Sequence, residues 1–348
     1  MKKKIITGII LIAGFAGGYV AWQLFGPNVS APEGKFFYIK TGSTYNEVRQ
    51  SLLDQKVISG AFFFDMVSKQ LKYPKLVKAG RYQIKNGSSI YSLLRKLRSG
   101  DQTAVNLVIN KLRLNQDLAQ KIAANFECDS ASVMQVLTNG ESMEKYGVDQ
   151  NTILTIVIPN TYSFFWNSTA EKIIDKLYRE KEKFWNEERL AKARNMNLTP
   201  VQVYTMASIV EEETNKADDK GKIASVYKNR LAAGMKLQAD PTVKFALQDF
   251  GLKRILLKHL NYPSPFNTYV NTGLPPGPIC TPSINTIDAV LNAPETNYIF
   301  FVAKPDFNGY SNFATSYKEH MVYAKAYQDA LDSLIRAKAN QTNMNKTE

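Results

Sequence analysis

The chain begins with an uncharged, largely apolar run from Ile5 to Phe25, preceded by Lys2, Lys3 and Lys4. Twenty-one residues at about 1.5 Å each reach roughly 31 Å, close to the hydrocarbon thickness of a bilayer. Lysines before the run and none just after it predict a membrane anchor over 5–25 with residues 1–4 in the cytoplasm. A cleaved signal peptide would carry a shorter apolar stretch, about 7–15 residues. Its one small-x-small candidate, Val29-Ser30-Ala31, is followed by Pro32. Residues 26–34, with two prolines and glycines at both ends, read as a linker. Beyond it the pattern changes to short strands followed by helices. Phe36–Thr44 gives a strand and a turn, and Val48, Leu52 and Leu53 have helical spacing. The same order returns in Tyr82–Ser89 followed by Leu93, Leu94 and Leu97. "YIKTGST" and "YQIKNGSS" thus form an internal near-repeat in which Thr or Ser can cap each helix. A third unit runs from Val105–Ile109 into Leu114–Phe126.

Farther on, Ser130–Asp149 reads as helix, and Thr155–Trp166, broken by Pro159, as a strand entering a loop. Thr169–Asn195 reads as one long amphipathic helix. Thr199 and Pro200 open another helix in cap and first-turn positions. Its apolar stripe, Val203, Met206, Ile209 and Val210, continues by three- and four-residue steps onto Glu213. In the run Glu211-Glu212-Glu213, Glu212 then falls on the solvated side and Glu211 on a flank. A carboxylate that extends an apolar stripe either marks the helix emerging into water or lines a cleft. In a cleft, desolvation raises its pKa and makes it a proton donor near neutral pH; periodicity alone leaves both open. A second helix over Gly221–Gly234 carries Ile223, Val226, Tyr227 and Leu231 on its face, with Asn229 and Arg230 nearby. Leu237–Thr242 reads as a loop in which Asp240 can act as an N-cap. Asn267–Ile279 is too rich in Gly and Pro for helix or central strand, and its Asn, Thr and Tyr side chains suit sugar hydroxyls. The polar residues from 337 to 348 read as a disordered tail. The whole is an α+β chain.

Composition narrows the partners. Forty-four basic against 31 acidic residues give a net charge of +13, which suits an anionic membrane surface or cell-wall polymer. No arginine-rich arm, helix-turn-helix or ribonucleoprotein motif supports a nucleic-acid partner. Two histidines, and two cysteines, Cys128 and Cys280, without ligand spacing, give no basis for a metal site. The two cysteines can pair in an oxidising compartment or stand as separate small thiols.

The strand-turn-helix units over 35–127 resemble LysM-like sugar-binding modules; glycan contact and a rigid spacer are both compatible with them. The chain as a whole resembles the YceG-like family of endolytic murein transglycosylases. "ASIVEEET" (207–214) is similar to the family's catalytic helix and "VYKNRL" (226–231) to the helix after it. "LQADPTV" (237–243) and "NTYVNTGLPPGPI" (267–279) resemble its cleft loops, "IPNTYSF" (158–164) an upstream segment, and "FATSYKEH" (313–320) the terminal motif. The family helix commonly reads Glu, a basic residue, Glu, so Glu212 stands at the basic position. Asn160, Ser283 and Tyr310 also depart from the usual Asp, Gly and His.

The resemblance implies a catalytic domain over 128–336 outside the cytoplasm, on the periplasmic side of the inner membrane. It implies cleavage of the β-1,4 bond between N-acetylmuramic acid and N-acetylglucosamine, with Glu213 as acid then base and 1,6-anhydro ends as products. Glu211 takes a supporting role, and Asn229, Arg230, Gln238, Asp240, Tyr269, Asn271 and Thr272 are the expected residues orienting sugar or Glu213. No metal or organic cofactor is implied; the partners are peptidoglycan strands, the membrane and, by proximity, peptidoglycan synthases. Two alternatives remain open on the residues: a hydrolytic muramidase with Asp240 as base, and a non-catalytic wall-binding scaffold.

Overall fold

The computed structural model describes the backbone of residues 2–344 and the side chains of residues 3–337. The chain forms two compact units. One takes the chain up to Leu107 together with Gln120–Val133 and Tyr162–Ile173; the other takes Val108–Ala119, Met134–Thr161 and the chain from Ile174 onward. The two units are interleaved along the sequence, and no composition change marks where the chain passes from one to the other.

The first unit opens with α1 (Lys2–Phe25), an uninterrupted helix whose span from Lys3 has no residue buried against protein. β1 (Phe36–Ile39), α2 (Tyr45–Asp54), α3 (Phe62–Gln70), β2 (Gly80–Gln83) and α4 (Ile90–Ser99) follow. The two halves of the near-repeat meet as an antiparallel pair, Phe36 opposite Gln83 and Ile39 opposite Gly80. Thr44 accepts from the Glu47 amide and Ser89 from the Ser92 amide, so each repeat supplies the cap its sequence promises. Phe37, Leu52, Phe64, Tyr82, Leu94 and Leu97 are among the side chains that fill the core between strands and helices. β3 (Val105–Val108) leads to α5 (Asn115–Ala123), α6 (Ser130–Thr138) and α7 (Gly140–Tyr146); β4 (Thr161–Phe164) then pairs with β3.

Residues 26–34 are not a loose linker. Val29 is 2% exposed and sits in the core of the first unit, bridged to Ile58 and Ser88. Asn28 turns its amide back onto the carbonyls of Trp22 and Gln23 at the end of α1. A single buried valine among prolines and glycines has no periodic signal, which is why the segment reads as a tether.

In the second unit α8 (Ala170–Phe184) and α9 (Glu187–Asn195) replace the single helix expected over 169–195. Asn186 stops one and caps the next by accepting from the Arg189 amide. α10 (Pro200–Glu213), α11 (Ala217–Ala232) and α14 (Ile284–Leu291) pack on one another. Val203, Ile209, Ile223 and Ile287 lie in their shared core. α12 (Asp240–Leu247) and α13 (Leu257–Leu260) lie between the last two of these in sequence. β5 (Phe300–Ala303) and β6 (Ser311–Ala314) form an antiparallel pair, and α15 (Tyr317–Met344) closes the chain. The tail expected to be disordered from 337 thus continues α15 to Met344; once a helix is nucleated, each added residue gains a hydrogen bond. Residues 345–348 lie outside the described residues.

Candidate active site

α10 is built to hold its last residue still. Thr199 and Gln202 form a reciprocal capping box with Pro200 in the first turn. Every residue from Val203 to Val210 is buried. Over that stretch the helix is enclosed on all sides rather than amphipathic, so Glu212 does not continue a solvated face. Two buried polar residues tie α10 to its surroundings. Tyr204 donates to the Val157 carbonyl at 2.6 Å, and Ser208 accepts from the Ile279 amide at 3.0 Å. Thr214, in extended conformation, ends the helix directly after Glu213.

The three glutamates have three environments. Glu211 accepts from Lys220 and Ser283, each at 3.0 Å, and from Thr286. Burial opposes its charge, but these three donors outweigh burial and hold the carboxyl below its ordinary value. Ser283, the departure from the usual glycine, is one of those donors and also caps α14. Glu212 accepts from Arg113 Nη2 at both of its carboxylate oxygens, each at 3.0 Å, and pairs with Lys111 at 3.1 Å. Burial again opposes the charge, and the two cations again win. The expected solvated carboxylate is instead a clamped one, 18% exposed. The segment 111–113 supplies the positive charge that the family pattern leads one to expect at position 212 itself.

Glu213 goes the other way. It lines a cleft of about 350 Å³ with Arg230, Gln238, Asp240, Tyr269, Phe300 and His320 among its neighbours. Desolvation pushes its carboxyl up to about 7, against the pull of the Tyr227 hydroxyl, with Asp240 and Glu212 adding repulsion. Its place at the negative end of the α10 dipole is a further bias against the charged form. Tyr227 Oη donates to Glu213 Oε1 at 2.7 Å. That phenol is itself held protonated, because burial and then the neighbouring Glu213 push it well above its ordinary value. One carboxyl balanced near neutrality beside two held ionised is an arrangement suited to proton transfer.

The remaining expected residues divide. Asp240 lies at the start of α12, where Ala239 rather than Asp240 is the cap, and accepts from Tyr269 Oη at 2.7 Å in the cleft. Gln238, at a φ of +51°, also faces the cleft. Arg230 forms part of the wall while donating to the Ile299 and Leu237 carbonyls at 2.7 and 2.8 Å. Asn229 is committed elsewhere: its amide brackets the Thr296 and Tyr298 carbonyls. Asn271 likewise donates to the Ser264 and Asn267 carbonyls, and neither it nor Thr272 lines the cleft. Both are exposed on the loop. Sequence reasoning assigned these three to sugar because Asn and Thr can serve either a ligand or an irregular backbone. The residues it left out are Tyr227, Phe300, Phe301, Tyr317 and His320. Tyr227 was visible only as part of a helix face, and His320 only as the end of a motif. His320 stacks on Phe300 at 5.1 Å, and burial pulls its imidazole below the usual range.

Both cysteines are free; Cys280 is buried and its Sγ lies 3.4 Å from the Ser208 carbonyl.

Residues 37–326 match the family model described as the YceG-like family. A protein of Bacillus subtilis named endolytic murein transglycosylase is 29% identical over 81% of each chain. One of the same name from Streptococcus pneumoniae is 26% identical over 87% of this chain. The present chain spans only 61% of that longer relative. The crystal structure of a YceG-like protein of Listeria monocytogenes superposes with a TM-score of 0.56 at 28% identity, covering 82% of this chain and 98% of the other. With the family pattern extending over most of its length, the chain belongs to the YceG-like family.

Proposed function

We propose that this chain is a membrane-anchored endolytic transglycosylase that cuts peptidoglycan between N-acetylmuramic acid and N-acetylglucosamine, with Glu213 as its one acid/base. The observation that supports this most directly is the single carboxyl of raised pKa in the cleft, hydrogen-bonded to Tyr227 and backed by Asp240. The protonated Glu213 donates to the glycosidic oxygen as the C1–O bond breaks and C1 gains oxocarbenium character. The carboxylate left behind takes the proton of the muramic acid C6 hydroxyl, whose oxygen closes onto C1. The products are a free hydroxyl on one side and a 1,6-anhydro end on the other; no water is consumed, and Glu213 is returned protonated. Asp240 and Tyr269, bonded to each other in the wall, are suited to orienting sugar hydroxyls, with Gln238 and Arg230 beside them.

The lysines before α1 support a cytoplasmic N-terminus and an extracytoplasmic cleft. The β1–α2–α3–β2 order supports reading the start of the first unit as a LysM-like wall-contact module. An endolytic cutter so tethered could act on nascent strands close to the synthases that make them.

Mass spectrometry of peptidoglycan digested by the parent and by Glu213→Gln at equal loading tests the reading. Anhydro-terminated fragments from the parent, and none from the variant, are expected. Reducing ends in place of anhydro ends would make the protein a hydrolase, and release unaffected by the substitution would remove Glu213 from the chemistry.

A further inference from the structure

The exit of α1 is fixed to the first unit with little play. Gly26 donates to the Trp22 carbonyl at 2.7 Å, and a Cβ at this position would lie 2.3 Å from that oxygen. Asn28 holds the last carbonyls of α1. Val29 exchanges backbone hydrogen bonds with the 87–88 turn, Ser88 accepting from its amide and Gly87 donating to its carbonyl, and Ser30 donates to Val57. Side chains continue the attachment: Leu24 packs on the core of the unit, and the Phe25 ring lies 5.4 Å from Tyr91.

This fixed exit sets the level of α3. The ring of Tyr19 lies 6.0 Å from that of Phe63, in the first turn of α3. Tyr19 is six residues before the end of α1, or about 9 Å back along its axis. The start of α3 is therefore beside the apolar helix rather than beyond its end. Phe62, 74% exposed, and Met66, one turn on and 39% exposed, occupy the same side of α3. Tyr19 and Trp22, each 58% exposed, are the residue types that settle at the membrane–water boundary. A continuous set of uncovered aromatic side chains at that level needs an apolar partner.

We propose that the first turn of α3 is a membrane-contacting wedge: Phe62, supported by Phe63 and Met66, enters the interfacial layer of the bilayer that α1 crosses. The first unit then rests on the membrane surface instead of swinging at the end of a tether. The occupant is lipid because the patch is continuous with the face of α1 that lipid covers. This rests on α1 being a membrane span, so the test reads the two claims separately.

The full chain, carrying Cys128→Ser to remove the more accessible thiol, is labelled with a bimane fluorophore at Ala61→Cys and, separately, at Ile12→Cys. Each is reconstituted in phosphatidylglycerol/phosphatidylethanolamine nanodiscs containing lipids with nitroxides at the headgroup, upper chain or mid-chain. The Ile12 label is expected to be quenched by mid-chain nitroxides. The Ala61 label, beside an intact Phe62, is expected to be quenched by headgroup and upper-chain nitroxides and shielded from aqueous iodide. Phe62→Ser in the Ala61-labelled chain is expected to abolish the lipid quenching and restore iodide access. An Ile12 label untouched by lipid nitroxides would remove the membrane span and the wedge together. An Ile12 label quenched normally, with the Ala61 label reached only by iodide or unchanged by Phe62→Ser, would overturn the wedge alone.

Discussion

Replacing Tyr227 by phenylalanine deletes one oxygen, the one that donates to Glu213 Oε1 at 2.7 Å, and leaves the ring in its packing against Phe301. A hydrogen bond to a charged group contributes about 1.5–3 kcal/mol. Because a protonated carboxyl also accepts such a bond, only part of that difference distinguishes the two protonation states. At 1.36 kcal/mol per pH unit, a differential of about 1.4 kcal/mol moves the carboxyl up by roughly one unit. The parent carboxyl titrates at about 7, so the alkaline limb of kcat/KM, which reports the free enzyme, should move from about pH 7 to about pH 8. At pH 9 the protonated fraction then rises from about 1% to about 9%. A variant lacking a hydroxyl in the active site would thus lose its alkaline handicap by nearly tenfold relative to its own plateau. The assay is the rate of release from purified sacculi between pH 5 and 9.5, read from the position of the limb and not its height, since orientation losses lower the plateau alone. A limb that stays in place, or moves down, would refute the assignment of Tyr227 as the group that holds Glu213 ionisable.

The same carboxyl predicts a stability difference. Its folded value of about 7 lies above the ordinary 4.5 of a glutamate, so its favourable contribution is complete below about pH 4.5 and lost as pH rises through 7. Glu213→Gln should therefore have a higher unfolding free energy than the parent at pH 8, by at most about 3 kcal/mol, and the gap should close below pH 4.5; a gap independent of pH would contradict this. Glu212→Lys places a third cation beside Lys111 and Arg113 and is expected to cost about 1–3 kcal/mol by thermal unfolding. Reversing all three charges should recover much of that loss. Arg230→Lys abandons the carbonyls of Ile299 and Leu237 and should lower stability by about 2 kcal/mol, visible as an earlier melting transition.

The stretch 199–213 shows what a sequence can and cannot reveal here. Thr199 and Pro200 mark the start of α10 by local chemistry, and the three- and four-residue spacing leads from Met206 to Glu213, which does face a cleft. The same spacing misplaces Glu212, because its partners lie about a hundred positions upstream and no local pattern points to them. Asn229 and Asn271 donate to backbone carbonyls outside the cleft lining, which the sequence does not show for a different reason. An amide that satisfies orphan carbonyls and one that binds a sugar are the same residue type, and only the loop's backbone decides. Tyr227 stayed hidden because its ring reads as core while its hydroxyl does the polar work.

The seating of Val29 has a practical consequence for dissecting this protein. A soluble fragment begun at Phe36, the first clear strand, would lose the valine that covers Ile58 and Ser88, along with about 1.5–3 kcal/mol. A fragment or chimaera should join no later than Asn28, keeping Gly26 if a foreign anchor is grafted on. Spacers inserted within 26–34 would unseat part of the fold by displacing Val29 from its core.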